Sequence, residues 1–344
     1  MEQLRIERVA FGGAGIGRRA EGMICFVPFT IPGELVSVQV TREKKSYAEA
    51  NLIEVLEPSS DREQPRCPVF GRCGGCHYQH IKYERQLQIK QSQVVEAFQR
   101  IAKLEVEVSE PRPSPEIWAY RNRITVHTRQ GQTGFFAPAS RRVVPIDSCP
   151  IASDQINQQL QTYLGKRPRD GEKVFREPQP YKGFTQVNPN AAAILLETVL
   201  EHALSGGKFV DAYCGAGFFT QPLSERFQET VGIEWSSDAV AAAARHASAT
   251  TRYIEGNVAE HLADELAGAS LLVLDPPAAG CGEPVMKLVA ESNLPDMIYV
   301  SCNPSTLARD IRLLGDQYRV ESVVPVDMFP QTAEIEVVCK LKRM

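Results

Sequence analysis

The sequence predicts an α/β protein in three parts. These are a small N-terminal β-barrel (1–58), a mixed α+β central part carrying a cysteine cluster (59–205), and a C-terminal Rossmann-like, doubly wound sheet (206–344). Three observations lead there. Short apolar runs broken by Gly and Pro fill the first part. Three cysteines crowd the start of the second. Strand and helix patterns alternate through the third, in the order of a doubly wound parallel sheet.

A chain of 344 residues is longer than one core usually spans. Its 43% hydrophobic and 23% charged content fits a globular protein and excludes a disordered one. No run of about 18 apolar residues suggests a membrane span. The opening MEQLRIERVAFGG lacks a basic stretch followed by an apolar one, so no secretory signal is expected and the cytoplasm is the expected location. Nothing points to a protein partner. Net charge is -4, which by itself speaks against nucleic acid, yet the charge is unevenly spread. Lys and Arg against Asp and Glu number 7 to 8 in the first part, 20 to 15 in the second and 11 to 19 in the third. A basic middle can hold phosphates while the acidic remainder does other work.

The barrel strands read as IERVAFGGAGIGR, GMICFVPFTIPGE, LVSVQVTREK and YAEANLIEVLEP. A five-stranded barrel of this kind often binds single-stranded nucleic acid, and a purely structural barrel fits the pattern as well. Asp61–Pro65 is a polar linker. A helix is expected from Tyr78 to Lys103, with Leu87, Val94, Val95, Phe98 and Ile101 at helical spacing. RNRITVHTRQGQTGFFAPASRRVVPIDSC alternates like a hairpin, with GQTGFF as its turn. In the third part KFVDAYC, ETVGIEW, SLLVLDPP, DMIYVSCNP and YRVESVVPVDMF hold strands, Ser237–Ala247 is helical, and TAEIEVVCKLKR alternates as a closing strand.

FVDAYCGAGFF is a strand, a Gly-rich turn and a helix start. Gly215 and Gly217 let backbone approach a ligand. Glu234 ends the next strand, where an acid accepts bonds from ribose hydroxyls. The third glycine of a dinucleotide motif is missing, so a methyl-donor site without pyrophosphate fits better; a bare tight turn fits the glycines alone. Asp275 in LVLDPP ends a later strand at the same edge, which favours a site. Cys302 follows the apolar strand of IYVSCNP on a loop opened by Asn303 and Pro304, the edge where reactive groups sit. The common fate of a lone cysteine is a buried inert thiol. Glu336 in AEIEVV is its candidate acid-base partner, with Glu334 the alternative. CPVFGRCGGC places Cys67, Cys73 and Cys76 together, and Cys149 stands apart in DSCPI. Four thiolates suit zinc or a [4Fe-4S] cluster.

DAYCGAGFF, VGIEW, LDPP and SCNP, in this order before FPQTAEIE, resemble the RumA/TrmA-type RNA (uracil-5-)-methyltransferases across essentially the whole chain. The resemblance implies that the barrel is a TRAM domain and that S-adenosylmethionine is the methyl donor. It implies donor contacts at Gln186 in FTQVNPN, Tyr213, Glu234, Asn257 in EGNVAEHL, and Asp275. It makes Cys302 the nucleophile and Glu336 the base, and gives Cys67, Cys73, Cys76 and Cys149 a [4Fe-4S] cluster. Uracil carbon 5 is too weak a nucleophile to take a methyl group directly; thiolate addition at carbon 6 makes it an enolate. The site is therefore expected to lower the pKa of Cys302.

The expected partner is RNA, 23S rRNA ahead of tRNA. Arg121, Arg123, Arg141 and Arg142, with Lys166, Arg167 and Arg169, are candidate phosphate contacts, each also readable as a solvated face. Tyr120, Phe135 and Phe136 are candidate stacking residues. Phe218, Ala278, Gln331 and Glu334 depart from the family's usual asparagine, arginine and two histidines. The departures at Phe218 and Ala278 motivate the competing reading of a non-catalytic RNA-binding or assembly protein, against which the retained Cys302 and Glu336 argue.

Overall fold

A computed structural model describes residues 1–178 and 186–344. Strands β1 (Glu2–Val9), β2 (Ala14–Arg18), β3 (Ile24–Pro28), β4 (Leu35–Glu43) and β5 (Tyr47–Glu57) close into a barrel in the order β1-β2-β3-β5-β4. Alternation turns Leu4, Ile6, Val27, Val36, Val38 and Ala48 inward. Closure removes the free strand edges that a small sheet would otherwise expose. Buried Glu34 accepts from Arg62 at 2.6 Å and ties the barrel to the segment that follows.

Helix α1 (Tyr83–Ala97) runs on through a π turn at Phe98–Ala102 and stops at Lys103, which adopts φ 60°. The helix starts five residues later than its spacing predicts because the preceding backbone is engaged elsewhere. The amides of His77 and Tyr78 both donate to the Gln331 carbonyl, and that of Lys82 donates to Asp61.

The central sheet has the order β8-β7-β6-β9, from β6 (Arg123–Arg129), β7 (Gln132–Phe136), β8 (Val143–Pro145) and β9 (Gly171–Arg176). Helix α2 (Asp154–Leu164) covers one face, packing Ile156 and Leu160 on Ile124, Val126 and Phe175. The hairpin turn falls at Gln130–Gly131, both at positive φ. QTGFF is itself a strand, not the expected turn.

Helix α3 (Pro189–His202) precedes the large sheet. Its strands are β10 (Lys208–Ala212), β11 (Glu229–Glu234), β12 (Thr251–Glu255), β13 (Ala269–Leu274), β14 (Asp296–Ser301), β15 (Tyr318–Val326) and β16 (Glu336–Arg343). Between them lie α4 (Thr220–Ser224), α5 (Ser237–Ala244), α6 (Val258–Leu266), α7 (Gly282–Glu291) and α8 (Pro304–Leu313). The order is β12-β11-β10-β13-β14-β16-β15, with β16 antiparallel to both neighbours. Strand order reverses beside β10, and ligands of open α/β sheets bind at such a point. β16 is buried from Glu336 to Leu341 rather than half-buried, because it is inserted between β14 and β15 with both faces covered.

The two cores of this sheet do not follow the three parts read from the sequence. Val94, Ala97 and Phe98 of α1 and its π turn join α6, α7 and α8 on one face. Leu195 and Val199 of α3 pack on the other. Apolar stripes bury against whichever sheet face lacks cover, and sequence order does not choose it.

Candidate active site

Four strands deliver acidic groups or the candidate nucleophile to one edge. After β10 the chain turns through Tyr213, Gly215 and Gly217, all at positive φ. For a bulky Tyr213 that conformation is strained, and such strain gathers at functional positions. Its ring lies beside Cys281, half-buried against the sheet core. Glu234, at the end of β11, accepts from the Gly215 amide at 3.1 Å and the Ser236 amide at 2.9 Å. These bonds fix the glycine turn against β11 and leave lone pairs for further donors. Asn257 caps α6 by accepting from Ala259 at 3.0 Å. Asp275 follows β13 and is half-buried, and burial pushes its carboxyl up to about 7. Gln186 lies on the approach to α3, where its carbonyl accepts from Asn122 at 3.0 Å.

Cys302 and Glu336 meet across β14 and β16. Ser301 pairs with Val337, so one further antiparallel step sets Cys302 opposite Glu336, on the same face. Cys302 is half-buried and Glu336 is 8% exposed. Asn303 caps α8 through Ser305 and Thr306, which aims the loop away from the packed strand. Burial and then the Glu336, Asp275 and Glu334 charges push the Cys302 thiol up to about 11. Burial, with Asp275 and Glu334 close by, raises Glu336 well above the usual carboxylate range. This corrects the expectation of a lowered thiol pKa. The chain by itself surrounds the sulfur with carboxylates, and each disfavours a thiolate. Glu334 is more exposed and meets Arg121 at 3.9 Å. Burial thus separates the two candidate bases.

The loop carrying Glu334 and Glu336 is gripped from several elements. Gln86 of α1 and Gln331 exchange two bonds of 3.0 Å, from Gln86 Nε2 to Gln331 Oε1 and from the Gln331 amide to Gln86 Oε1. Gln331 sits at φ 70°, a conformation those bonds hold. Lys90 Nζ, fully buried, donates to Asp327 at 2.6 Å and to the Phe329 carbonyl at 3.1 Å. Tyr120 donates to the Pro330 carbonyl at 2.9 Å and Asn188 to that of Met328 at 3.1 Å. Sequence reasoning missed Gln86, Lys90 and Asp327; the signal for Gln86 and Lys90 is a polar residue on an otherwise buried helix face, and Asp327 follows β15 with no such signal. It also missed Asp211, buried in β10, which accepts from Thr220 and is pushed up to about 7 by burial.

The departures acquire local roles. Gln331 is the partner of Gln86. Phe218 packs edge-on against Phe219 at 4.8 Å. The Ala278 carbonyl accepts from Thr306 at 3.1 Å and Asn303 at 3.4 Å, joining the D-P-P and S-C-N-P loops through backbone that any side chain supplies.

Cys67, Cys73, Cys76 and Cys149 line one cavity of about 620 Å³, bordered by Arg121 and Arg123. Burial raises Cys73, pushes Cys76 up to about 12 and Cys149 up to about 11. Among the described residues no three His, Cys, Asp or Glu converge tightly enough for a single metal ion. The expected four-thiol metal site is therefore not formed as a one-ion site. Four unbridged thiols around one cavity are a donor set for a larger group. His77, next to Cys76, reaches Gln331 through its amide at 3.0 Å, so this loop and the Glu336 loop are in direct contact.

Among the described residues, no helix is long and apolar enough to cross a membrane. The family model described as tRNA (Uracil-5-)-methyltransferase matches residues 261–344, and the TRAM domain model matches residues 3–53. An RNA methyltransferase of Bdellovibrio bacteriovorus is 33% identical over 99% of this chain and 94% of its own length. One from Protochlamydia amoebophila is 30% identical over 98% and 97%. In fold, the chain superposes on the Pyrococcus abyssi tRNA (uracil-54, C5)-methyltransferase, solved with S-adenosyl-L-homocysteine, with TM-score 0.75 and 23% identity. That match covers 98% of this chain and 100% of the other. With an N-terminal TRAM barrel and a C-terminal segment that matches the tRNA (Uracil-5-)-methyltransferase model, the chain belongs to a family of RNA methyltransferases.

Proposed function

We propose that the protein methylates carbon 5 of a uridine in RNA, taking the methyl group from S-adenosylmethionine. The observation that carries this reading is Cys302 set opposite Glu336 at the ligand edge of the sheet, with Asp275 beside both. Cys302 Sγ bonds to carbon 6, and the carbon 5–carbon 6 double bond opens to an enolate. Carbon 5 then takes the methyl as the methyl–sulfur bond of the donor breaks. Glu336 removes the proton from carbon 5, the double bond re-forms and the thiolate leaves.

The carboxylates around Cys302 also suit a cation. A sulfonium held there would favour the charged forms of Asp275, Glu336 and the thiol. Glu234, Asn257 and the Gly215–Gly217 turn would hold the rest of the donor, with Tyr213 and Gln186 at its margins. The uridine must leave its stack to reach Cys302, which favours loops and single strands.

Cys67, Cys73, Cys76 and Cys149 would hold a [4Fe-4S] cluster as thiolates, and its contribution would be to fix the loop that meets Gln331. From the resemblance, 23S rRNA is the substrate we favour. A tRNA substrate is the second reading, supported by what the Pyrococcus abyssi relative acts on. The test incubates the protein with labelled S-adenosylmethionine and total RNA lacking 5-methyluridine, then maps the label. Label at carbon 5 of a 23S uridine is expected. Label confined to tRNA selects the second reading, and no transfer to any RNA removes the proposal.

A further inference from the structure

The outer face of the central sheet carries a second feature, away from Cys302. Along β6, Arg123, Thr125, His127 and Arg129 share the face opposite the α2 core, because burial alternates residue by residue. Register brings Arg176 of β9 opposite Arg123, and Glu172 opposite His127. Phe136 of β7 stacks on His127, rings 3.9 Å apart and inclined by 12°, and the Arg129 guanidinium lies 5.6 Å from the Phe136 centroid. Arg141 and Arg142 border the same cavity, whose volume is about 900 Å³. Its acids are Asp170 and Glu172, and Glu172 is turned to His127 at 3.6 Å. Among the described residues, no carboxylate pairs with Arg129, Arg141 or Arg142.

The strand that carries this face begins close to the active site. Arg121, two residues before Arg123, meets Glu334 at 3.9 Å. From Arg123 to Arg129 the strand spans roughly 20 Å, enough for several nucleotides of an extended strand. An aromatic stack flanked by guanidiniums is how single strands are held without reading sequence: bases extend the stack and phosphates rest on the cations.

We propose that this face is a second RNA site, taking a single-stranded stretch of the substrate beside the target uridine. A base extends the His127–Phe136 stack, and phosphates lie on Arg129, Arg141 and Arg142. The proposal rests on the RNA-methylation reading and adds where the strand runs.

The test uses the full chain and a fluorescein-labelled oligouridylate of about a dozen nucleotides, followed by anisotropy across a salt series. For the double variant Arg141→Ala/Arg142→Ala, binding weakens and the slope of log K against log salt shrinks by about 1.4, about 0.7 for each phosphate left without its arginine. For His127→Ala, binding weakens by about five-fold or more with the salt slope unchanged. Circular dichroism matching the parent shows that each variant folds; should His127→Ala fail to fold, the arginine pair alone decides. Parent-like affinity and slope in the folded variants overturns the proposal, as does a parent protein that does not bind the oligonucleotide. Methyl transfer to unmodified RNA is measured on the same samples. Parent-like transfer by variants that bind normally sinks this site and leaves the enzyme reading standing. Salt and stacking effects as stated, with no transfer by the parent, support the site and remove the enzyme reading.

Discussion

At the scale of residues, the proposed chemistry turns on how Cys302 becomes a thiolate. With the thiol pushed up to about 11, little is ionised near neutrality in the chain alone, and the fraction rises as pH climbs toward that value. Adduct formation with 5-fluorouridine RNA is therefore expected to be slow without a methyl donor and to accelerate with pH. A cationic donor analogue carrying an amine in place of the sulfonium should speed it at pH 7, whereas uncharged S-adenosylhomocysteine should not. Trapping rates measured by gel shift across pH check this, and equal rates with both ligands would remove the electrostatic account. Glu336→Gln should keep the thiol addition but lose about 10²–10⁴-fold in turnover, with the methylated adduct accumulating. The pairing of Cys302 with Glu336 was legible in the sequence through SCNP and the closing strand. The direction of the thiol shift was not, because it depends on burial and on Glu336, Asp275 and Glu334 arriving from other elements.

At the scale of elements, α1 holds the loop that carries the base. Breaking its buried ion pair with Lys90→Met strands the Asp327 charge in the core and is expected to cost about 3–5 kcal/mol. Converting both partners, Lys90→Met with Asp327→Leu, should recover much of that, as chemical denaturation can show; an equally unstable double variant would mean the polar pair itself is required. Gln86→Ala leaves Gln331 without its buried partner and is expected to cost about 1–3 kcal/mol. It should lower kcat more than it changes donor affinity, because the loop carries Glu336. Steady-state kinetics beside isothermal titration separate the two. Helix α1 itself was legible from Leu87, Val94, Val95, Phe98 and Ile101, yet its start at Tyr83 and its packing on the C-terminal sheet were not. Both are decided by Gln331 and by an uncovered sheet face, far away in sequence. The same limit hides the hairpin turn: QTGFF looks like turn chemistry until Val143 and Val144 pair beside it.

At the scale of the whole molecule, charge and fold divide the work. The basic middle supplies the sheet face and the arginines near the cysteine cavity, and the acidic C-terminal part supplies the carboxylates that, in the proposed function, face a cationic donor. The barrel and the alternating C-terminal strands could be read directly, since a closed barrel and a doubly wound sheet each leave a local period. How the three parts share cores could not, since no local pattern records which faces remain uncovered. The proposed function converges on a covalent bond between one sulfur and one uracil. The most direct measurement incubates the protein with S-adenosylmethionine and 5-fluorouridine-substituted substrate RNA, then digests the complex for mass spectrometry. The account predicts a methylated nucleotide on the peptide that contains Cys302, and none when Cys302 is replaced by alanine. A methylated RNA free of protein, or an adduct on any other cysteine, would contradict it.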